Sequence, residues 1–250
     1  MPPSHRLLLV KAHPDDESYG HAGLILRCRQ RRIPVALVCA TRGEAGITPG
    51  MLPAGEEAGA LRLRELAAAR QVLGLQRVEV IGVPDGQSER WDLPLVRNHV
   101  ARAMRAFRPT VVATFGPEGV TGHPDHITIG RVATEVFFEL RAQWHTEHTL
   151  ADGSLGRLYH VAVPKEFERR RPGELRGRGD ITTILDVSDL WEQKRDALRC
   201  HASQTRHVDL EDPALREALS REHLVRVFPP PPAGLRETDL FSESDLSLIT

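Results

Sequence analysis

The chain has 250 residues, a formal net charge of −1 and 40% hydrophobic residues. An α/β domain often reaches this size, so one domain is predicted over residues 1–250, with a regular core at 5–204 and a less regular part at 205–250. The near-zero charge gives no indication of a nucleic-acid or membrane-surface partner. No apolar run approaches the roughly 20 residues of a membrane span, and three isolated cysteines favour a reducing, cytoplasmic location.

The first predicted element is a buried strand, LLLV at 7–10, which is followed closely by HPDDE at 13–17. A turn can bring His13 and Asp16 onto one metal ion, whereas Asp15 between them would face elsewhere, free to act on water. Imidazole and carboxylate are ligands for Zn²⁺ and related divalent metals, and ligands of open α/β sheets sit at the carboxyl ends of strands. The competing interpretation is a helix N-terminus that carries acidic residues.

Helices and strands then alternate along the chain. The predicted helices cover 18–32, 60–73, 93–107 and 127–144, and the further strands cover 35–40, 78–82 and 110–115. Because these strands are apolar throughout, the pattern favours a parallel, doubly wound α/β sheet with helices on both faces. The Gly- and Pro-rich segment 47–59 is predicted to be a mobile surface loop.

The fourth strand leads into a second polar cluster, HPDH at 123–126. In a parallel sheet this cluster lies at the same edge as HPDDE, so His126 could complete a set of ligands with His13 and Asp16. Three protein ligands and an open position are typical of a catalytic zinc. For any single histidine here, the alternative is capping or packing at a helix start.

His123 and Asp125 of this cluster are two residues apart and can share one face of an extended backbone. A carboxylate beside an imidazole orients the ring, fixes its tautomer and favours its protonated form. Asp125 is therefore expected to orient His123.

The remaining chain is less regular. Strands are predicted at 158–163 and 181–187, an exposed Arg-rich excursion at 165–179, a helix from Ser188 or Asp189 to about 200, and a short helix opened by Asp212-Pro213. The polar tail 235–250 is expected either to cross back over the core or to fray.

Three motifs resemble the LmbE-like, or PIG-L, N-acetylglucosaminyl deacetylases: AHPDDE at 12–17, TRGEAG at 41–46 and GHPDH at 122–126. Arg64-Glu65 resembles the R-x-x-E helix of that family, and PDG at 84–86 resembles its following turn. A late segment with Lys194, His201 and Gln204 also resembles the family, and we assign these three residues to helix packing.

The resemblance implies a Rossmann-like α/β fold that uses zinc to hydrolyse the acetamide of an N-acetylglucosamine derivative. Carried onto this sequence, it makes His13, Asp16 and His126 the metal ligands. It makes Asp15 the general base, and His123 the general acid or oxyanion stabiliser, oriented by Asp125. Arg64 and Asp85 become candidate sugar contacts, although a helix-surface ion pair explains Arg64 equally well.

Several alternatives stay open at this stage. Fe²⁺, Mn²⁺ or Co²⁺ would suit a His₂Asp site as well as Zn²⁺. The chain could instead be a metal-dependent amidase or esterase for a non-sugar acyl substrate, or a catalytically silent sugar-binding module. The expected partner is a small N-acetyl sugar conjugate, and the sequence does not decide between a monomer and a homo-oligomer.

Overall fold

A seven-stranded sheet organises the part of the chain that the computed structural model describes, residues 5–46, 52–146, 154–234 and 236–241. The strands are β1 (Leu7–Lys11), β2 (Val35–Cys39), β3 (Arg77–Val80), β4 (Val111–Phe115), β5 (Arg157–Ala162), β6 (Thr183–Asp186) and β7 (Arg221–Phe228). Their order is β3-β2-β1-β4-β5-β7-β6. The first five strands are parallel and β7 is antiparallel to both neighbours, so the predicted mostly parallel α/β sheet is confirmed.

Helices cover both faces of this sheet. They are α1 (Asp16–Gln30), α2 (Glu56–Leu73), α3 (Leu93–Phe107), α4 (Gly119–Gly122), α5 (Pro124–Thr146), α6 (Lys165–Arg170), α7 (Trp191–Cys200), α8 (Ala202–Thr205) and α9 (Pro213–Leu219). α1, α2 and α7 pack on one face, and α3 and α5 pack on the other. Within the described ranges, no helix combines the length and the apolar character that a bilayer span requires.

The apolar run near the start of the chain forms the central strand β1, which is buried on both faces. Leu7 and Leu9 belong to the core on the α1 side, and Leu8 and Val10 belong to the core on the α3 and α5 side. All four side chains are fully buried. A strand covered on both faces needs apolar residues at every position, which explains why this run does not alternate with polar residues.

The carboxyl ends of β1 and β4 bring the two polar clusters together. The two strands are neighbours, with Leu7 opposite Val111 and Leu9 opposite Ala113. β1 leads into α1 on one face and β4 leads towards α5 on the other, so the connections change face between these strands. Ligands of open α/β sheets bind at such a switch point. HPDDE and HPDH meet at one edge of the sheet, as predicted.

Strand β7 is an unpredicted part of the sheet, and it lies beyond the core boundary proposed at residue 204. Its side chains Glu222 and Arg226 are almost fully buried. Glu222 pairs with Lys194 of α7 at 2.7 Å. Arg226 pairs with Glu237 at 2.9 Å. Strands are recognised in a sequence by alternating apolar residues, and charged residues are taken to face solvent. β7 is missed in this way, because its charged residues are buried in ion pairs.

Two other predictions on the local structure are wrong. α2 begins at Glu56 instead of at residue 60, with two glutamates in the first turn, where the helix dipole favours them. Ser188 and Asp189 form a 3₁₀ turn before α7, and neither side chain caps that helix. The excursion predicted at 165–179 is mostly exposed and contains the short helix α6.

The segment at the end of the described chain crosses back over the core. Glu237 forms backbone hydrogen bonds with Thr182 and Ile184 beside β6, and Leu240 and Phe241 join the core on the α1 side. This is one of the two outcomes expected for the tail. Parts of the predicted tail (235 and 242–250) and of the predicted loop (47–51) lie outside the described residues.

The buried pair of Glu237 with Arg226 gives a test of this packing. Glu237→Met removes an acceptor of Arg226 and of Thr183 Oγ1, and we expect the free energy of unfolding to fall by about 3–5 kcal/mol, because one side of a buried ion pair is lost. Asp239→Asn is the matched control on the same segment. It weakens an exposed pair with Arg31, and should cost less than about 1 kcal/mol. Equal losses in urea denaturation of both variants would contradict the assignment.

Candidate metal centre

His13, Asp16 and His126 converge at the carboxyl ends of β1 and β4. The Nδ1 atom of His13 lies 3.0 Å from Nε2 of His126. A carboxylate oxygen of Asp16 lies 3.7 Å from His13 Nδ1, and the other lies 3.4 Å from His126 Nε2. The backbone N–H groups of Ala12 and His13 donate to Asp16 Oδ2, which fixes this carboxylate at the start of α1.

The second nitrogen of each of the two rings already has a partner. Nε2 of His13 lies 3.0 Å from Asp85 and 3.2 Å from Asp125, and therefore donates to these carboxylates. Nδ1 of His126 donates to the carbonyl of Gly119 at 2.9 Å. If both rings are neutral, the two nitrogens that face each other at 3.0 Å therefore carry no proton, and each points a lone pair at the other. Only a cation or a proton between them makes this contact favourable, so the donor set fits a divalent metal ion.

The protonation of the two rings agrees with a cation site. Burial opposes the charged form of His13, but its hydrogen bonds to Asp125 and Asp85 outweigh that effect and raise the pKa of His13 to about 10. Burial lowers the pKa of His126 below its ordinary value. The surrounding carboxylates therefore favour a positive charge at this pair of rings. A metal ion that binds here must displace a proton, as is general for histidine ligands.

Two further groups of donors share His13. The rings of His13, His123 and His126 form one group, and His13, Asp85 and Asp125 form the other, each with its ligand atoms within 4.8 Å of one another. The first group is less buried at His123. In the second group, both carboxylates face the nitrogen of His13 that points away from His126, so they suit the role of outer partners to a metal-binding histidine.

Asp15 stands beside this centre on a strained turn. Its φ is +127°, a conformation that residues with a side chain rarely adopt. Arg62 of α2 holds the turn from one side, since it donates to the carbonyl of Pro14 at 2.6 Å and lies 3.2 Å from the Asp15 carboxylate. Glu17 holds it from the other side, by accepting the Asp15 N–H at 3.0 Å. Burial raises the pKa of Asp15 to about 6, against the opposing charge of Arg62.

The position of the Arg62 side chain explains why the TRGEAG loop has a glycine at residue 43. Arg62 donates to the carbonyl of Gly43 at 3.0 Å. Gly43 has a φ of +71°, and a Cβ atom there would lie 2.4 Å from the guanidinium. The positive φ favours glycine at this position, and a side chain there would push the Arg62 guanidinium out of its place.

Glu17 belongs to a buried hydrogen-bond network below Asp15. It accepts from Nε2 of His201 and from Ser18 Oγ, both at 2.7 Å, and its side chain is fully buried. Ser203 donates through its N–H and its hydroxyl to Glu65 of α2. The late H-x-S-Q segment thus packs α7 and α8 against the acidic turn, which agrees with the packing role expected for His201.

His123 lies at the edge of the centre and is half-buried. Its ring centroid is 4.7 Å from that of His13 and 5.1 Å from that of His126. The backbone N–H of Asp125 donates to its Nδ1 atom at 3.2 Å, so the neutral ring carries its proton on Nε2. Burial and the nearby charge of His13 lower the pKa of His123.

The expectation that the carboxylate of Asp125 orients His123 is wrong. That carboxylate accepts from the N–H groups of Gly86 and Ser88 and faces His13. Because Asp125 is the second residue of α5, its N–H points back to His123 while its side chain reaches into the sheet edge. Asp125 therefore orients both histidines, His123 through its backbone and His13 through its side chain.

The two predicted sugar contacts have different positions. Asp85 lies on the cavity wall, where it faces His13 and accepts from the N–H of Ala45, and its contact with a sugar stays a prediction. Arg64 is exposed and does not line the cavity, whereas the buried Arg62 does. The assignment to Arg64 is therefore wrong. The R-x-x-E spacing fits Arg62 and Glu65 instead, and Arg62 lines the cavity.

A cavity of about 840 Å³ opens above these residues. Its wall includes the metal-centre residues, Asp15 and His123, and on the far side the helices α6 and α9. Pockets for drug-sized ligands run to roughly 300–1,000 Å³. The cavity therefore has room for more than one sugar ring.

Comparison with known proteins identifies the family. A profile of the PIG-L family, described as GlcNAc-PI de-N-acetylase, matches residues 8–137. The chain belongs to the PIG-L family. A PIG-L relative from Nocardia farcinica, 1D-myo-inositol 2-acetamido-2-deoxy-alpha-D-glucopyranoside deacetylase, is 32% identical over 292 aligned positions, which cover 96% of this chain and 96% of the relative. PIG-L deacetylases are metal-dependent, in agreement with the donor set described above.

Solved structures share the fold. N,N'-diacetylchitobiose deacetylase from Pyrococcus horikoshii superposes with a TM-score of 0.67 at 23% identity, covering 88% of this chain and 83% of that chain. The 4-carboxy-2-hydroxymuconate hydratase from Pseudomonas putida gives a TM-score of 0.67 at 22% identity, covering 92% and 99%. Because a deacetylase and a hydratase share this fold, the fold alone does not identify the reaction, and the residues of the site must do so.

Arg62 and Arg64 allow a direct test of the site. Arg62→Met removes the donor that holds the Asp15 turn, and we expect deacetylase activity to fall by about 10–100-fold, as is typical of residues that support catalytic groups. Arg64→Met on the same helix should change activity by less than about twofold, because it alters only an exposed side chain. Rates of acetate release and metal content should be measured for both. Equal activity of the two variants would contradict the corrected assignment.

Proposed function

We propose that the protein is a metal-dependent deacetylase, which hydrolyses the N-acetyl group of an N-acetylglucosamine-containing small molecule and releases acetate and the free amine. The observation that carries this proposal is the pair of imidazole nitrogens of His13 and His126, which face each other beside Asp16. Asp15 and His123 stand next to this pair in one cavity. A site that only bound a sugar would need neither of these two groups.

His13, Asp16 and His126 would hold the metal ion in this proposal. Two imidazole nitrogens and one carboxylate suit Zn²⁺, and Fe²⁺, Mn²⁺ and Co²⁺ accept the same donors. A divalent ion at this position supplies a Lewis acid for the acetyl carbonyl and makes water more acidic. Asp85 and Asp125 fix the ring of His13 from behind, and Gly119 fixes the ring of His126.

Asp15 acts as the general base. Its carboxylate removes a proton from the attacking water while the water oxygen forms a bond to the acetyl carbon. The carboxylate of Asp16 is used by backbone N–H groups and by the histidines, and that of Glu17 by His201 and Ser18, so Asp15 is the carboxylate of the HPDDE turn that is available for proton transfer. The contacts with Arg62 and Glu17 hold it in place, and a general base must be held within hydrogen-bond reach of the proton that it removes.

His123 acts on the other side of the reacting carbonyl. Because its Nδ1 atom accepts from the backbone of Asp125, the N–H on Nε2 is free to donate to the carbonyl oxygen as negative charge develops there. When the C–N bond breaks, the nitrogen must take up a proton, since an amine does not leave as an anion. The protonated Asp15 delivers that proton, or His123 does so from its imidazolium form.

The substrate proposed for the first experiment is the compound named in the relatives, 1D-myo-inositol 2-acetamido-2-deoxy-alpha-D-glucopyranoside. Acetate release from it should be lost with a chelator and restored by Zn²⁺. Activity on simple non-sugar acetamides or esters alone would favour the alternative amidase or esterase. Binding of the sugar without any acetate release would favour the binding module. The cytoplasmic location stays a prediction.

Asp15→Asn tests the assignment of the base. The amide keeps the size of the side chain but cannot take a proton, so we expect the rate of acetate release to fall by about 10²–10⁴-fold, the usual contribution of a general base. Metal content, measured by elemental analysis, should stay at the wild-type level. Near-normal turnover of this variant would refute the role of Asp15.

His123 and His126 form a matched pair, three residues apart in HPDH. His126→Ala removes a predicted ligand, and should lower the metal content and the activity together. His123→Ala should keep the metal and lose rate, because in this proposal His123 acts on the substrate and is not a metal ligand. Metal loss in the His123 variant, with retention in the other, would mean that the two roles are exchanged.

A further inference from the structure

Lys11 is the last residue of β1 and lines the same cavity as the metal centre. Its side chain is 1% exposed, and its Nζ atom is buried. No described residue accepts a hydrogen bond from this amine. The amine lies 4.3 Å from the centroid of the Phe115 ring. Phe115 stacks on His126, with the ring centroids 4.0 Å apart and the planes at 9°.

A buried amine without an acceptor destabilises the fold. Leaving such a group unpaired costs several kcal/mol, and a cation–π contact returns roughly 0.5–2 kcal/mol. Asp16, Glu17 and Glu222 attract the charge of Lys11, yet none of them forms an ion pair with it. Folding alone therefore gives no reason for a lysine at this position, because methionine or leucine would fill the same space.

Lys194 in the wall of the same cavity is a lysine whose amine is hydrogen-bonded within the fold, and it serves as a comparison for Lys11. It is also fully buried and lines the same wall. Its Nζ atom donates to Glu222 at 2.7 Å, and Glu222 in turn accepts from the backbone N–H groups of Gly23 and Leu24. The hydrogen-bonding capacity of this group is used by the fold, whereas that of Lys11 is not.

We propose that Lys11 is a substrate-binding residue, whose Nζ atom donates a hydrogen bond to an oxygen of the substrate bound beside the metal centre. This inference rests on the proposed deacetylase function. An amine donates a hydrogen bond in its neutral and in its charged form, so the role does not depend on the charge of Lys11. The acceptor is an oxygen either of the acetyl group or of the sugar hydroxyls.

The test compares Lys11→Met with Lys194→Met. In Lys11→Met we expect an equal or higher melting temperature, unchanged metal content, and a fall in kcat/KM of about tenfold or more, the size of one lost hydrogen bond to a buried group. In Lys194→Met we expect a lower melting temperature, because Glu222 stays buried without its partner. Lys11→Gln, which keeps an N–H donor, should recover part of the lost kcat/KM.

Inhibition by acetate locates the acceptor. A weaker inhibition of Lys11→Met by acetate places Lys11 on the acetyl group. Unchanged inhibition together with a higher KM for the sugar substrate places it on a hydroxyl. Both results support the proposal.

A melting temperature of Lys11→Met as low as that of Lys194→Met, with kcat/KM within about twofold of the wild type once folded, would overturn the inference and make Lys11 structural. An inactive wild-type protein would contradict the proposed function instead, and the comparison of melting temperatures would still test whether the fold needs Lys11.

Discussion

Two imidazole nitrogens that face each other 3.0 Å apart, each with the other nitrogen of its ring already hydrogen-bonded, are the constraint on which this site depends. His13 gives its other nitrogen to two carboxylates, and His126 gives its other nitrogen to a carbonyl. The polar groups around both rings are therefore arranged so that lone pairs face each other. Such an arrangement is repulsive without a cation, and it explains why several aspartates are gathered around one histidine pair.

The topology of the sheet makes this contact achievable for residues far apart in sequence. β1 and β4 are adjacent and parallel, so the segments after these two strands leave the sheet at the same edge. The turn after β1 carries the ligands and the proposed base, and the start of α5 carries the second histidine and the proposed acid. Arg62 from α2 donates to the carbonyl of Pro14 in this turn, and His201 after α7 binds Glu17. Both can reach the turn because α2 and α7 pack beside α1 on the same face of the sheet. These tertiary contacts, and not the local sequence, stabilise the strained backbone conformation of Asp15.

Much of the fold and of the site could be predicted from the sequence, because both depend on local patterns. The buried run at 7–10 and the helix at 93–107 follow from apolar spacing, and HPDDE and HPDH follow from residue chemistry at strand ends. The parts that could not be predicted depend on tertiary pairing. Strand β7 is stabilised by buried ion pairs, which an apolar pattern does not register.

The errors within the site have a similar cause. Arg62 and Arg64 are chemically alike in sequence, and the packing of α2 brings Arg62 to Asp15. The side chain of Asp125 turns from its neighbour His123 to His13, 112 residues away, for a reason that lies in the start of α5. Side-chain direction is set by the helix and not by the spacing of two residues.

The most direct measurement is a crystal structure of the zinc-loaded protein with an anomalous difference map at the zinc edge. The account predicts one peak, bonded at roughly 2.0–2.3 Å to Nδ1 of His13, to the carboxylate of Asp16 and to Nε2 of His126. A peak between His13, Asp85 and Asp125, or one without a bond to Asp16, would contradict it.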